Sequence, residues 1–75
     1  MATLGDRIKT MREKRQLSQR ELAKRAGIDH AWIARLEAGE RHNISLAAAR
    51  RLAEVLQVSV DYLAGMYDDA TTPPA

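Results

Sequence analysis

The sequence predicts an all-α fold in which five short helices form one compact domain. Three observations favour this class. Alanine, leucine, arginine and glutamate, which are good helix formers, are abundant; apolar residues recur at intervals of three and four; and both prolines stand at positions 73 and 74, outside every periodic stretch. A chain of 75 residues provides one domain with a small core.

The first helix should begin at Leu4. Thr3 precedes it and Asp6 follows three residues later, which is the spacing of a capping pair at a helix N-terminus. Apolar residues then recur at helical spacing, and we expect the helix to continue to about Arg15. The apolar stripe of this helix consists of Leu4, Ile8 and Met11.

The second and third helices follow closely on one another. Ser18 and Glu21 have the spacing of a capping box, and Gly27 is expected to end the second helix in a left-handed conformation. Asp29 then caps a third helix that runs from His30 to about Ala38.

Two further helices complete the predicted domain. Ser45 caps a fourth helix, predicted from Leu46 to about Gln57, and Ser59 begins a short fifth helix with the sequence SVDYLAG. We expect a domain over residues 1–67 and a C-terminal tail over 68–75. The buried stripe predicted for the fourth helix is Leu46, Ala49, Leu52, Ala53 and Leu56.

Charge is distributed unevenly along the chain. All twelve lysine and arginine residues and six of the ten acidic residues lie within positions 1–51, which carry a net charge of +6, whereas positions 52–75 carry −4. A basic segment of this kind suits an anion-binding surface, and it equally suits a solvated helical surface. Charge alone leaves both interpretations open.

Several classes of protein are disfavoured. The chain contains no cysteine for a disulfide or a thiolate metal site, and its two histidines, at positions 30 and 42, belong to no cluster of catalytic groups, so we expect neither an enzyme nor a cofactor. No apolar run approaches the ~20 residues that span a bilayer, and no signal-peptide pattern opens the chain. We therefore expect a cytoplasmic protein without a membrane partner or an evident small-molecule ligand.

The break at Gly27 has a specific geometric consequence. Ala23 is small enough for two helices to cross closely, Gly27 supplies the turn, and Ile33 with Leu36 would anchor the following helix to the preceding one. This spacing predicts a helix-turn-helix unit over about residues 18–37, with a crossing angle of about 90–120°. The third helix would then protrude and present a flat outer face of small residues.

Several linked motifs indicate the family to which this helix-turn-helix unit is similar. The stretch LSQRELAKRAGIDHAWIARLEAGER, followed by SLAAARRLAEVLQVSVDYLAG, resembles the Cro and phage-repressor-like (XRE) family of helix-turn-helix regulators. The resemblance covers about residues 4–66. It implies a lambda-repressor-like domain that binds double-stranded operator DNA, commonly as a homodimer, and that regulates transcription on the nucleoid. An antitoxin or adaptor of the same fold, which binds proteins instead, is the alternative.

The resemblance also assigns base-contacting positions at the start of the third helix: His30, Ala31, Ala34 and Arg35. The guanidinium of Arg35 can bond O6 and N7 of guanine together, although an arginine paired with a nearby acid is the competing interpretation. His30 is equally well explained as a solvent-exposed histidine. The two alanines offer methyl groups to thymine or simply favour helix formation.

The resemblance also implies phosphate contacts on both sides of the DNA major groove that the third helix would enter. Gln19 and Arg20 lie in the first turn of the second helix, where free amides favour an anion. The loop after the third helix supplies Arg41, His42 and Asn43. Trp32 either donates its ring N–H to a phosphate or packs partly into the core.

Two further roles follow from the resemblance. Arg12 is expected to pair with Glu37 and so hold the first helix against the third. The interface of the homodimer is expected on apolar residues of the acidic C-terminal part, of which Tyr62 is also the strongest candidate for the core. The residues assigned to this interface are Val55, Val58, Tyr62, Met66 and Tyr67.

Overall fold

The computed structural model describes residues 3–63, and these residues form five α-helices without a strand, which confirms the predicted all-α fold. Each helix begins where the capping residues predicted and ends within about a residue of the predicted boundary, apart from the predicted last turn of the fifth helix, which lies outside the described residues. The helices are α1 Leu4–Lys14, α2 Gln19–Ala26, α3 His30–Glu37, α4 Leu46–Leu56 and α5 Val60–Leu63. Within residues 3–63, none of these helices has the length and apolar character needed to cross a membrane.

Capping boxes begin the first two helices. The Thr3 backbone N–H donates to Asp6 Oδ2 at 3.0 Å, while the Asp6 N–H donates to Thr3 Oγ1 at 3.1 Å. Ser18 and Glu21 make the same reciprocal pair at 2.9 and 3.0 Å. These bonds satisfy amides that a helix N-terminus leaves without an intrahelical partner, so short-range sequence signals fix where α1 and α2 begin.

These boxes make the stability of the fold depend on pH. The pKa values of Asp6 and Glu21 lie below their ordinary values, chiefly because the backbone N–H groups of Thr3 and Ser18 donate to the ionised carboxylates. Because the folded pKa values are the lower ones, the stabilisation is complete above about pH 5.5 and is lost as the pH falls below about 4. We expect the free energy of unfolding in urea to decrease between about pH 6 and about pH 3.

The matched control for this prediction is the double variant Asp6→Asn, Glu21→Gln, whose amides keep an acceptor oxygen and lack the charge. Its free energy of unfolding should fall less steeply with acid than that of the wild type. Identical slopes for the two proteins would contradict the assignment.

Two helices, α2 and α4, end at a residue in the left-handed conformation. Gly27 ends α2 with φ 68°, the left-handed conformation that the sequence predicted. Gln57 ends α4 in the same conformation, φ 57°, although it carries a side chain. The Arg15 Nε donates to the carbonyl oxygen of Leu56 at 3.0 Å, so α1 supplies a donor to the end of α4.

The core lies between α1, α2, α3 and α4, and α5 closes it against α1 and α4. One prediction for α4 is wrong: Leu46 is 69% exposed, whereas the other four residues of the predicted stripe are buried. Leu46 occupies the first position of α4, directly after the N-cap Ser45, and its side chain does not join the core. The side chains that are fully buried are Ile8, Leu22, Ile33, Leu36, Leu52, Leu56 and Leu63.

Gly5 permits an unusually close approach between α1 and α3. A β-carbon added at this position would overlap the backbone carbonyl of Leu36, which is one residue before the end of α3. A side chain there would force the two helices apart. Glycine inside a helix is otherwise unfavourable, and this close contact accounts for its place in the first turn of α1.

Candidate nucleic-acid interface

The turn between α2 and α3 brings two helix faces into close contact. Ala23 and Ala26 of α2 are buried, and the backbone N–H of Ile28 donates to the Ala23 carbonyl at 2.9 Å across the Gly27 turn. Ile33 and Leu36 are completely buried on the inner side of α3. The opposite side of α3 is therefore left facing outward.

The four residues predicted to contact bases lie together on this outer side. Ala31 and Arg35 are exposed, and His30 and Ala34, which are their neighbours on the helix, are half-buried. Within residues 3–63, Arg35 has no carboxylate within ion-pair distance. Within residues 3–63, the ion pair that would compete for its guanidinium is therefore not formed.

Exposed polar side chains flank this face at two places. Arg20 is exposed in the first turn of α2, and the loop that follows α3 exposes Arg41, His42 and Asn43. The backbone N–H of Arg41 donates to the Arg35 carbonyl at 3.3 Å, so the loop starts from a fixed position at the end of α3. A surface that combines one protruding helix with flanking cations suits a polyanion whose charge is regularly spaced.

A buried hydrogen-bond network holds α1, α2 and α3 together. Arg12 Nε and Nη2 donate to the two oxygens of Glu37 at 2.8 and 3.0 Å, forming a bidentate ion pair. Arg12 Nη1 donates to the carbonyl of Leu17 at 2.8 Å, directly before the N-cap of α2. Gln19 Nε2 donates to Glu37 Oε1 at 3.1 Å. One carboxylate at the end of α3 therefore receives donors from α1 and α2.

Burial makes this ion pair electrostatically significant. The side chains of Arg12 and Glu37 are 12% and 4% exposed. The hydrogen bonds to Glu37 raise the pKa of Arg12, so the guanidinium stays charged. The two parallel hydrogen bonds of a bidentate arginine–carboxylate pair restrict the relative orientation of the two side chains. The pair therefore helps to fix the orientation of α3 relative to α1.

Two residues that were predicted to contact phosphate, Gln19 and Trp32, contact other parts of the protein. The side-chain amide of Gln19 donates a hydrogen bond to the carboxylate of Glu37, a contact that the sequence did not predict. Trp32 is half-buried and packs against the core cluster, consistent with the second of its two proposed roles.

The residues predicted for a dimer interface differ in their surroundings. Val55 and Val58 are half-buried and pack against the core. Tyr62 is a core residue, and the guanidinium of Arg7 lies 5.9 Å from the centre of its ring. The predictions for Met66 and Tyr67 lie outside the described residues. Across residues 3–63, no group of three or more histidine, aspartate or glutamate side chains is placed to hold a metal ion.

Known proteins are similar to this chain in sequence and fold. Residues 3–64 match the family model described as a helix-turn-helix domain. The chain is 32% identical over 72 residues to the HTH-type transcriptional repressor RghR of Bacillus subtilis, an alignment that covers 92% of this chain and 53% of RghR. The chain spans about half the length of the curated relatives it matches.

Two solved structures superimpose closely on the domain. The biofilm regulator SinR in complex with DNA is 32% identical, with a TM-score of 0.80 over 83% of this chain and 98% of that one. The P22 c2 repressor in complex with a synthetic operator is 30% identical, with a TM-score of 0.77 over 84% of this chain and 94% of that one. The chain belongs to the helix-turn-helix domain family, in the Cro and phage-repressor-like (XRE) group of regulators.

Proposed function

We propose that this domain binds double-stranded DNA in a sequence-specific manner and regulates transcription, most simply as a repressor. The observation that carries the proposal is the exposed outer face of α3, where Arg35 has no carboxylate partner within residues 3–63 and the buried Arg12–Glu37 pair holds the helix in place. The solved complexes of SinR with DNA and of the P22 c2 repressor with an operator support it by similarity. Such a protein would act in the cytoplasm, on the nucleoid.

Base recognition would come from the N-terminal part of α3 in the major groove. Arg35 would donate two hydrogen bonds to guanine, and His30 would contact a base or a phosphate. Ala31 and Ala34 would place methyl groups against thymine. Because this face carries few hydrogen-bonding groups, part of the specificity would come from the shape and deformability of the DNA.

Phosphate contacts would come from both ends of the outer face. Arg20 and the first-turn amides of α2 would bind one backbone strand, and Arg41, His42 and Asn43 would bind on the other side of the groove. The ring N–H of Trp32 would be a further donor, while its apolar part stays packed against the core.

A homodimer on a near-palindromic operator would supply the remaining affinity. One α3 of eight residues reaches few base pairs, and two copies related by a two-fold axis would place their reading helices about 34 Å apart, one turn of DNA. Val55 and Val58 are the described residues proposed for the interface, together with Met66 and Tyr67. The burial of Tyr62 removes most of its surface from this role.

The salt dependence of DNA binding tests the electrostatic part of the proposal. The logarithm of the association constant should fall linearly with the logarithm of salt concentration, by about 0.9 for each phosphate neutralised. Arg41→Ala should weaken binding to all duplexes by similar factors and reduce the slope by about 1. Fluorescence anisotropy titrations at several salt concentrations measure both quantities.

Lys9→Ala is the matched control, because Lys9 is an exposed cation of α1 outside the proposed interface. It should leave the slope nearly unchanged. An association constant that does not respond to salt would contradict the proposal.

A further inference from the structure

The outward side of α4 belongs to neither the core nor the proposed DNA-binding surface. Ala47, Arg51 and Glu54 are exposed on this side, at the spacing of residues that share one face of a helix. We call these three residues the α4 face. It lies directly opposite the buried stripe of α4, which consists of Ala49, Leu52, Ala53 and Leu56.

The two charges of the α4 face are not paired with each other. Arg51 and Glu54 are only three residues apart, yet within residues 3–63 neither has an oppositely charged group within ion-pair distance. An arginine that precedes a glutamate is the less favourable order for a pair within one helix. Both side chains are therefore available to charges on another molecule.

The order of these residues along α4 is self-complementary. A two-fold contact joins the same surface of two identical copies. If two α4 helices pack antiparallel about an axis that passes between Leu52 and Ala53, Arg51 of each copy lies opposite Glu54 of the other. Ala47 is small, so it permits close approach of the two helices at both ends of the contact.

The ends of α4 complement each other in the same arrangement. Antiparallel packing brings the start of one α4 beside the end of the other. Leu46, at the start, is 69% exposed, and within residues 3–63 it is the one large apolar side chain that is exposed. Val55 and Val58, near the end, are half-buried. Contact between Leu46 and these valines of a second copy would remove apolar surface from water.

We propose that the α4 face pairs with the α4 face of a second copy of this chain through two reciprocal ion pairs between Arg51 and Glu54. The inference rests on the homodimer of the proposed function, to which it adds the charged pairs and the antiparallel arrangement. A contact through one helix of 11 residues is smaller than the ~1,200 Å² that stable interfaces bury. We therefore expect association without DNA to be weak and to weaken further with salt.

Sedimentation equilibrium of the full chain measures this association without DNA, at low ionic strength and at concentrations up to about 1 mM. Arg51→Glu and Glu54→Arg should each raise the dimer dissociation constant about tenfold, because each variant places four like charges in the contact. Lys9→Glu, on the exposed side of α1, is the control and should change the constant by less than about twofold. Arg51→Glu and Lys9→Glu both remove the net charge of +2, a change that by itself favours association.

An equimolar mixture of Arg51→Glu and Glu54→Arg tests whether the pairs form between copies. In a mixed dimer two acidic side chains face two basic ones, so the mixture should associate about as tightly as the wild type. The double variant Arg51→Glu, Glu54→Arg should do the same. Circular dichroism establishes that each variant is folded.

A wild type that stays monomeric at the highest concentration would overturn the proposal, and so would a mixture that associates no better than the two variants do separately. Either result would leave sequence-specific binding by α3 intact. That activity is measured separately, with a duplex that the wild-type domain selects from random DNA.

Discussion

Replacing Arg12 with methionine is expected to lower the free energy of unfolding by about 3 kcal/mol. The change removes both donors of the bidentate pair and leaves the carboxylate of Glu37, which is 4% exposed, with the single amide of Gln19. It also removes the donor to the Leu17 carbonyl. A buried charge without its partner is strongly unfavourable, and this mechanism accounts for most of the expected loss. Urea unfolding followed by circular dichroism provides the measurement.

The double variant Arg12→Met, Glu37→Leu is the control. Two apolar side chains of suitable size leave no buried charge, so much of the lost stability should return even though the ion pair is absent. A loss below about 1 kcal/mol in Arg12→Met would contradict the view that this pair organises the three helices.

Arg35→Ala is expected to weaken binding to the selected duplex by about 1–3 kcal/mol and to remove the preference at one base pair of each half-site. The physical reason is the loss of two hydrogen bonds to one guanine by a side chain that is exposed and has no carboxylate partner within residues 3–63. Affinities for a set of duplexes that differ at single positions measure the effect.

Arg50→Ala removes the same charge from the exposed side of α4 and serves as the control. It should reduce affinity slightly and leave the base preference unchanged. If Arg35→Ala keeps the full preference of the wild type, α3 presents a different face to DNA from the one proposed.

The elements that the sequence predicts well are those defined by local interactions. Thr3–Asp6 and Ser18–Glu21 are only three residues apart, and both partners of each capping bond lie within one helical turn. Gly27 adopts its left-handed conformation for reasons that are likewise local. The starts and ends of the helices, and hence the helix-turn-helix unit, could therefore be predicted from short segments.

The features that the sequence does not predict depend on contacts between distant segments. Leu46 fits the apolar spacing of α4, yet its side chain is exposed and takes no part in the core. The overlap that a side chain at Gly5 would make with Leu36 is created by helix packing, and so is the bond from Gln19 to Glu37. Helical periodicity describes the direction of a side chain on one helix and does not describe how far the next helix reaches.

The candidate site shows the same division. The grouping of His30, Ala31, Ala34 and Arg35 on one side of α3 follows from helical geometry, since Ile33 and Leu36 must face the core. That the Gln19 amide is held by a buried carboxylate depends instead on where α1 places Arg12. The outward position of these four residues was therefore predictable, whereas only the Arg12–Glu37 pair of the hydrogen-bond network could be predicted from the sequence.

Selection of bound duplexes from a random DNA pool tests the central claim most directly, because the protein itself chooses the operator sequence from all those offered. The expected result is the enrichment of one inverted repeat, with half-sites about ten base pairs apart and a guanine in each half-site that Arg35→Ala no longer selects. Enrichment of a single half-site would retain base reading by α3 and contradict the dimer. A pool that stays random after repeated rounds, with equal affinity for every duplex tested, would contradict sequence-specific DNA binding altogether.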